Sequence, residues 1–172
     1  MFQRTRSAGF SRLDMLLIVA LLLVLSFMMV PSMNMRGASK RDARRVEDMQ
    51  RIEAAIARYW TERGSFPPAH ESPAHDGWDV SNDGDFIPAL LEAGYLAQMP
   101  ADPRNDEQFQ YRYRVFPKGS FGCSLDGPTY VLGVRAFETV SARSINRAGF
   151  RCPDRDFTQE FGWVGGRSAP VH

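Results

Sequence analysis

The sequence has few of the residues and motifs that mark an enzyme or a cofactor site. Its 172 residues include only 2 cysteines and 3 histidines, without a Cys-x-x-Cys pair or a Cys/His spacing typical of zinc. It has no Ser/His/Asp nucleophile pattern, phosphate-binding glycine loop or metalloprotease helix motif. The charge is nearly balanced, with 21 Lys+Arg against 20 Asp+Glu, so nothing draws the whole chain towards polyanions. We therefore expect neither an enzyme nor a cofactor.

Long apolar runs are also scarce, and the single one lies near the amino terminus. It extends from Met15 to Met33 without a charged residue, behind a basic leader, Met1 to Gly9. A helix of that length spans about 28 Å, close to the hydrocarbon thickness of a bilayer. No small-residue cleavage site follows Pro31, which argues against a cleaved secretory signal. We predict a transmembrane helix within residues 10–33, with Asp14 at the membrane border, where an acid usually has a partner or a function.

The start of this segment resembles the cleavage and methylation motif of type IV prepilins. Gly9 followed by Phe10, an acid at Asp14 and a proline at Pro31 stand in the register of that motif. The resemblance implies that a prepilin peptidase cuts between Gly9 and Phe10 and methylates the new amino terminus. It also implies that Asp14 neutralises the Phe10 amine of an adjacent subunit during assembly, and that Pro31 kinks the assembly helix. The family normally has glutamate at the position of Asp14 and an apolar residue at that of Arg12.

A second helical segment, residues 34–63, continues from the apolar run. Its apolar residues recur at three- and four-residue steps and form one stripe, while its charged residues, including Asp42 and Arg45, are expected on the other faces. Gly64 and the following prolines end the pattern. We therefore predict one long helix from Leu13 to Arg63. The stripe consists of Val46, Met49, Ile52, Ile56, Tyr59 and Trp60.

The remainder, residues 64–172, predicts a small globular head. The segment 86–94 is expected to form a short helix capped by Asp85. Alternation over residues 109–115 predicts a half-buried strand, and a second strand is predicted over 129–138. These strands should pair antiparallel and cover the stripe of the long helix. The fold class is therefore α+β, a long helix packed on a small antiparallel sheet in a pilin-like, lollipop arrangement.

The two cysteines, Cys123 and Cys152, both lie in the predicted head. We expect them to form a disulfide in an oxidising compartment and to close a C-terminal loop, with two buried free thiols as the alternative. Such a bridge closes about 30 residues and stabilises the fold by about 3 to 4 kcal/mol on the chain-entropy model.

Short segments of the head add a resemblance to the major pseudopilin of type II secretion systems. The resemblance implies a structural subunit of a periplasmic filament that drives protein secretion. Its implied partners are the prepilin peptidase, other pilin or pseudopilin subunits and the inner-membrane assembly platform. The segments are Gly64-Ser65-Phe66-Pro67, Gly94-Tyr95-Leu96, Met99-Pro100, Asp102-Pro103 and Tyr111-Arg112-Tyr113, together with Tyr59.

Two alternatives remain open on these residues. The loop from Cys123 to Cys152 resembles the disulfide-bounded loop of type IV pilins, which favours a minor pilin for adhesion, motility or DNA uptake. A signal-anchored periplasmic binding module or enzyme belongs to a different class. The pilin resemblance implies a single-pass inner-membrane protein with a cytoplasmic amino terminus and a periplasmic head. A count of arginine and lysine on the two sides of the apolar run favours the opposite orientation.

Two other patterns in the head suggest ligands only weakly. The loop that contains Asp79, Asp83 and Asp85 resembles the start of a calcium loop, but Leu90 stands where an EF-hand has glutamate. Turn-forming and capping roles are therefore predicted instead of calcium binding.

Arginines and tyrosines alternate over residues 111–114, as a basic and aromatic surface for DNA would require. An ordinary strand explains that pattern, and nucleic acid is not an expected partner.

Overall fold

The computed structural model describes residues 11–123, 127–145 and 149–168, except for the side chains at 27–34 and 145. The chain divides into two compact units, one up to Gly37 and one from Ala38 onwards. The helices are α1 (Arg12–Arg63), α2 (Pro88–Glu92) and α3 (Val140–Ile145). The strands are β1 (Asp79–Val80), β2 (Tyr111–Phe116), β3 (Thr129–Val134), β4 (Arg151–Cys152), β5 (Arg155–Asp156) and β6 (Trp163–Ser168).

The first unit, as far as it is described, consists of the beginning of α1. Eleven of the thirteen positions from 13 to 25 carry large apolar side chains that are 45–68% exposed. In the portion with described side chains, no helix combines the length and the apolarity needed to cross a membrane. The predicted span over residues 15–33 includes positions 27–33, whose side chains lie outside that portion.

The second unit contains the rest of α1 and a four-stranded sheet. The sheet order is β1-β2-β3-β6, and all neighbouring strands are antiparallel. The predicted long helix is confirmed: it begins one residue before the predicted start and ends at Arg63, as predicted. Gly64 follows with a φ of 68°, a left-handed conformation that glycine adopts without steric cost, and its N–H bonds to the Trp60 carbonyl at 2.8 Å.

The predicted stripe of α1 packs on the inner face of the sheet. Met49, Ile52 and Ile56 are fully buried, and they belong to one core with Tyr111 and Leu132 of the two central strands. Alternate residues of a strand point to opposite faces, so the period-two pattern of β2 places its tyrosines on this side. The predicted antiparallel pairing of two strands against the helix is therefore confirmed.

A second core lies on the outer face of the sheet. Phe116 and Val131 point to this side and pack with Trp78, Phe157 and Phe161. Most of these partners come from the C-terminal segment, which thereby covers the sheet opposite α1. The predicted disulfide between Cys123 and Cys152 is confirmed, and both sulfur-bearing residues belong to this second core.

Several predicted boundaries and one predicted cap differ from the structure. The short helix occupies Pro88–Glu92 rather than 86–94, and Asp85 is exposed and does not cap it. No side chain caps this helix. The Oδ2 of the buried Asp79 accepts the N–H of Ile87, the residue before the helix, at 3.0 Å and that of His70 at 2.8 Å. Asp79 is the first residue of β1, so the strand holds its carboxylate in place beside these amides. The two predicted strands are observed at 111–116 and 129–134, and β6 was not predicted.

Candidate functional site

The start of α1 is the first part of the candidate site, and its geometry is that of a capping box. Ser11 precedes the helix, and its Oγ accepts the N–H of Leu13 at 3.3 Å. Asp14 reaches back, and its Oδ2 accepts the N–H of Ser11 at 2.9 Å. Two amides that would otherwise lack a partner at the helix start are therefore satisfied, and an acid in the first turn also interacts favourably with the helix dipole.

This box gives Asp14 a local role that the sequence reasoning missed. The spacing Ser11-x-x-Asp14 is the signal that could have revealed it, because a hydroxyl residue followed three positions later by an acid is typical of a helix start. Asp14 bonds to the Ser11 amide, and its side chain is exposed. Its carboxylate is therefore open to a further partner while it completes the cap.

The surface that follows Asp14 is apolar on every side of the helix. The eleven large apolar side chains from Leu13 to Leu25 are 45–68% exposed. Exposed apolar patches beyond a few hundred Å² are rare on soluble monomers and mark contact with membranes or other proteins. This stretch can therefore bury itself in lipid or against other helices.

Three predicted site positions lie partly or wholly outside the described residues. Gly9 and Phe10, the predicted processing site, are outside them altogether. Position 31 lies inside α1, but the side chain of Pro31 is outside the description, so the predicted kink stays a prediction.

A buried charge cluster around Arg45 joins α1 to the head. The Arg45 side chain has no exposed surface, and its Nε and Nη2 donate to the two carboxylate oxygens of Asp102 at 2.6 and 2.9 Å. Its Nη1 donates to Asp42 at 2.7 Å and to Glu138 at 2.8 Å. Arg41 binds the same Glu138 through two hydrogen bonds of 2.8 and 2.6 Å. One helix thus engages the segment before β2 and the segment after β3.

The carboxylates of this cluster are satisfied by backbone amides as well. Asp42 accepts the N–H groups of Glu138 and Thr139 at 3.0 and 2.8 Å and the Thr139 hydroxyl at 2.7 Å. Asp102 accepts the N–H of Arg104 at 2.8 Å. Such bonds compensate for the loss of water around buried charges, which the ion pairs alone would not do.

The electrostatics of the cluster favour the ionised forms. Hydrogen bonds from Arg41, and then from Arg45, lower the pKa of Glu138 to about 2 against the opposing effect of burial. Burial lowers the pKa of Arg45, but the bonds to Asp102 and Glu138 outweigh it and leave that pKa raised. The expectation that Asp42 and Arg45 face solvent is therefore wrong. They lie on the buried side of α1 because partners from distant segments neutralise them there.

A second buried acid on the same helix is also paired. The Asp48 carboxylate accepts the Tyr111 hydroxyl at 2.9 Å, and Arg44 and Arg51 lie at 3.6 and 3.7 Å from it. Burial raises the pKa of Asp48, although the Tyr111 hydrogen bond and the arginines oppose the change. Polar contacts therefore accompany the apolar stripe along α1.

The acidic loop behaves as a turn in the structure. Among the described residues, no group of three or more His, Cys, Asp or Glu side chains could hold a metal ion. Asp79 is fully buried, and burial raises its pKa to about 6 although the His70 and Ile87 amides oppose that change. Its second oxygen, Oδ1, has no hydrogen-bond partner among the described residues.

The alternating arginines and tyrosines of β2 lie on opposite faces of the sheet. Tyr111 and Tyr113 are fully buried in the core against α1, where they cannot stack on a base. Arg112 and Arg114 point to the outer face. The strand therefore does not combine them into one basic and aromatic surface.

Comparison of the chain with models of protein families, with curated proteins and with solved structures finds no match.

Proposed function

We propose that this protein is a pilin-like structural subunit of a type II secretion pseudopilus. In this proposal a prepilin peptidase cuts between Gly9 and Phe10 and methylates Phe10. The subunit is first held in the inner membrane by residues 15–33, with its head in the periplasm. It then leaves the bilayer and joins other subunits at the inner-membrane assembly platform, and its apolar helix becomes part of the filament core.

The observation that carries the proposal is the exposed apolar surface of α1 between Leu13 and Leu25. Apolar side chains around the whole circumference of a helix require an apolar environment on all sides. Lipid and a bundle of identical helices both provide an apolar environment. The helix therefore suits a subunit that moves from the bilayer into a filament core. The head and the second half of α1 can stay water-soluble during this exchange, because together they form two buried cores.

The capping box supports the proposed docking role of Asp14. A cut after Gly9 would leave the Phe10 amine one residue before the cap, at the positive end of the helix dipole. The exposed carboxylate of Asp14 can then neutralise the Phe10 amine of a neighbour, since opposite charges attract strongly where little water reaches.

The first test is the mass of the mature amino terminus, measured in cells with and without a prepilin peptidase. We expect a protein that begins at Phe10 with one added methyl group, only in cells that have the peptidase. An intact Met1 in both strains, or a peptidase-independent cut elsewhere, would overturn the proposal.

The second test separates the charge of Asp14 from its capping role. Asp14→Asn keeps an oxygen that can accept the Ser11 amide but removes the charge, whereas Ser11→Ala removes the hydroxyl cap and keeps the charge. If the charge directs docking, Asp14→Asn should be cleaved normally yet fail to enter filaments, and Ser11→Ala should enter them. Asp14→Glu should also enter them. Normal entry of Asp14→Asn together with loss of Ser11→Ala, measured in sheared filament fractions, would show that only helix capping matters.

A second candidate is a minor type IV pilin for adhesion, motility or DNA uptake. The disulfide favours it, because the bridge from Cys123 to Cys152 bounds a C-terminal segment of the kind that type IV pilins carry in the resemblance described above. Neighbouring genes distinguish the candidates: a secretion ATPase and an outer-membrane secretin without a retraction ATPase favour the pseudopilin, and a retraction ATPase favours the pilin.

A further inference from the structure

A cleft between α1 and the edge strand β6 brings together four polar side chains that the proposed function does not use. The cleft has a volume of about 460 Å³. Small residues, Ala54 and Ala57 of α1 and Gly166 of β6, form part of its lining and leave the polar groups accessible. The polar lining consists of Gln50 and Glu53 of α1, Tyr130 of β3 and Arg167 of β6.

The register of the sheet fixes the positions of two of these groups. Tyr130 and Arg167 are direct partners in the antiparallel ladder of β3 and β6, so their side chains point to the same face. Tyr130 belongs to the core against α1, so this is the face that the helix covers. Arg167 is exposed and lines the cleft, and its guanidinium is therefore accessible to a ligand.

Gly165 makes room for the carboxylate of Glu53. It pairs with Leu132 on the same face of the sheet, and a Cβ at this position would overlap the Glu53 Oε1 and lie 2.8 Å from the Trp163 ring. The φ of Gly165 is not in the left-handed region, so the backbone itself does not require glycine here. A glycine inside a strand weakens it and often marks a close approach of another group. Here that group is the half-buried carboxylate of Glu53.

The four polar side chains have no partners of their own. Among the described residues, none of them forms a hydrogen bond or an ion pair, and Glu53 and Arg167 share the cleft without binding each other. Burial raises the pKa of Glu53, and the charge of Arg167 only opposes that change. A half-buried carboxylate without a hydrogen-bond donor is destabilising, and a ligand that supplies the donor removes that cost.

We propose that this cleft binds a small zwitterion of the amino-acid class. The ammonium group of the ligand donates to the Glu53 carboxylate, and its carboxylate accepts from the Arg167 guanidinium. The Gln50 amide and the Tyr130 hydroxyl can each donate or accept a further hydrogen bond. Burial, and then the charge of Glu53, raise the pKa of Tyr130 to about 12, so this hydroxyl keeps its proton near neutral pH.

Other classes of ligand suit the cleft less well. Its described lining carries one acid and one base, so a simple cation is repelled by Arg167 and a simple anion by Glu53. A saccharide commonly stacks on an exposed aromatic face, but Tyr130, the aromatic residue of the described lining, is only 6% exposed. The inference does not rest on the proposed filament, because the described lining belongs entirely to the second unit.

The experiment compares alanine with two derivatives that each lack one charge. Alaninamide has no carboxylate, and N-acetylalanine has no ammonium group. Each is titrated near neutral pH, at constant ionic strength, into the ¹⁵N-labelled full chain in a neutral detergent. The side-chain amide resonances of Gln50 report binding at the cleft. We expect a saturable response to alanine and about tenfold weaker binding of each derivative, the loss that one charge-assisted hydrogen bond implies.

Two variants assign each charge of the ligand to its partner. Glu53→Gln should weaken alanine binding and abolish the preference for alanine over N-acetylalanine, while the preference over alaninamide remains. Arg167→Gln should do the reverse, since coupling is lost only between groups that touch. Glu47→Gln and Lys118→Gln remove exposed charges outside the described lining and should leave binding unchanged. The derivatives act on the native protein as well, so the conclusion does not depend on the folding of a variant.

Any of four results would overturn the proposal. Alanine could cause no saturable response at the Gln50 amide. The two derivatives could bind as tightly as alanine, which would show that its charges are not recognised. Glu47→Gln or Lys118→Gln could weaken binding as much as the cleft variants do, which would reveal a nonspecific charge effect. Glucose could bind saturably where alanine does not, which would identify a neutral polyol as the ligand instead.

Discussion

Replacing Arg45 with methionine should be among the most destabilising single changes in the head. Methionine fills a similar volume, so the change removes the charge and four hydrogen bonds while it leaves little empty space. Asp102 then has no described cationic partner, and Asp42 and Glu138 each lose one bond. All three acids lie in a region that is buried or nearly so.

The expected loss is about 3–5 kcal/mol, the usual cost of removing one partner from a buried ion pair. Most of that loss reflects carboxylates left without compensation, and such groups take up protons instead. The deficit should therefore shrink as pH falls and these acids become neutral. In the native protein, Glu138 stabilises the fold less as pH falls, because its pKa in the folded state, about 2, lies below its ordinary value of 4.5. Its stabilising contribution is present above the ordinary pKa and is lost as pH falls through the folded one.

Urea unfolding of the full chain in a neutral detergent, followed by tryptophan fluorescence, measures both effects. The free energy of unfolding of native protein and variant should differ most near neutral pH and least near about pH 3. Arg41→Met is the matched comparison, because Arg41 binds the same Glu138 but is 38% exposed and contacts neither Asp42 nor Asp102 through a described hydrogen bond. Its effect should be clearly smaller. Equal losses in the two variants, or a loss for Arg45→Met that does not change with pH, would refute this reasoning.

Two further predictions concern the loops of the head. Burial raises the pKa of Asp79 from 3.8 to about 6, so the folded state binds the proton more tightly and its stability should fall as pH rises through that interval. Asp79→Asn keeps an oxygen for the His70 and Ile87 amides and should remove this fall, which amounts to about 3 kcal/mol at most. Urea titrations at several pH values measure the free energy of unfolding of both proteins. If stability fell with pH in the variant as it does in the native protein, the prediction would be wrong. Replacing Cys123 and Cys152 with alanine should cost about 2–5 kcal/mol, and a reductant should lower the native protein to the same urea midpoint without affecting the variant. A reductant effect of equal size on the variant would show that the bridge is not responsible.

The long helix and its buried stripe could be predicted because both depend on local signals. The three- and four-residue recurrence of Met49, Ile52 and Ile56 identifies the buried face. Gly64 marks the end, since it takes the left-handed conformation that terminates helices. The pairing of the two central strands followed from the alternation around Tyr111, which requires one buried face.

The burial of Arg45 could not be predicted in the same way. A charged residue on a helix is ordinarily expected to face the solvent. Arg45 is buried because it binds Asp102 and Glu138, which are 57 and 93 residues away from it in the sequence. The predicted cap by Asp85 is wrong for a related reason. Asp85 is the acid nearest to the helix in sequence, but the carboxylate that bonds to the Ile87 amide is that of Asp79, which β1 holds in place. β6 was missed because two adjacent glycines, Gly165 and Gly166, weaken the strand pattern.

The separation of the head into two cores on either face of one sheet gives each layer its own spectroscopic reporter. Trp78 lies in the outer core among Phe116, Phe157 and Phe161. Trp60 and Trp163 pack against the core on the helix side. A protein that keeps only Trp78 would report detachment of the C-terminal layer by its emission, whereas one that keeps only Trp60 would report separation of α1. The order in which the two signals change would show whether the disulfide-bounded layer can open while the helix remains seated on the sheet.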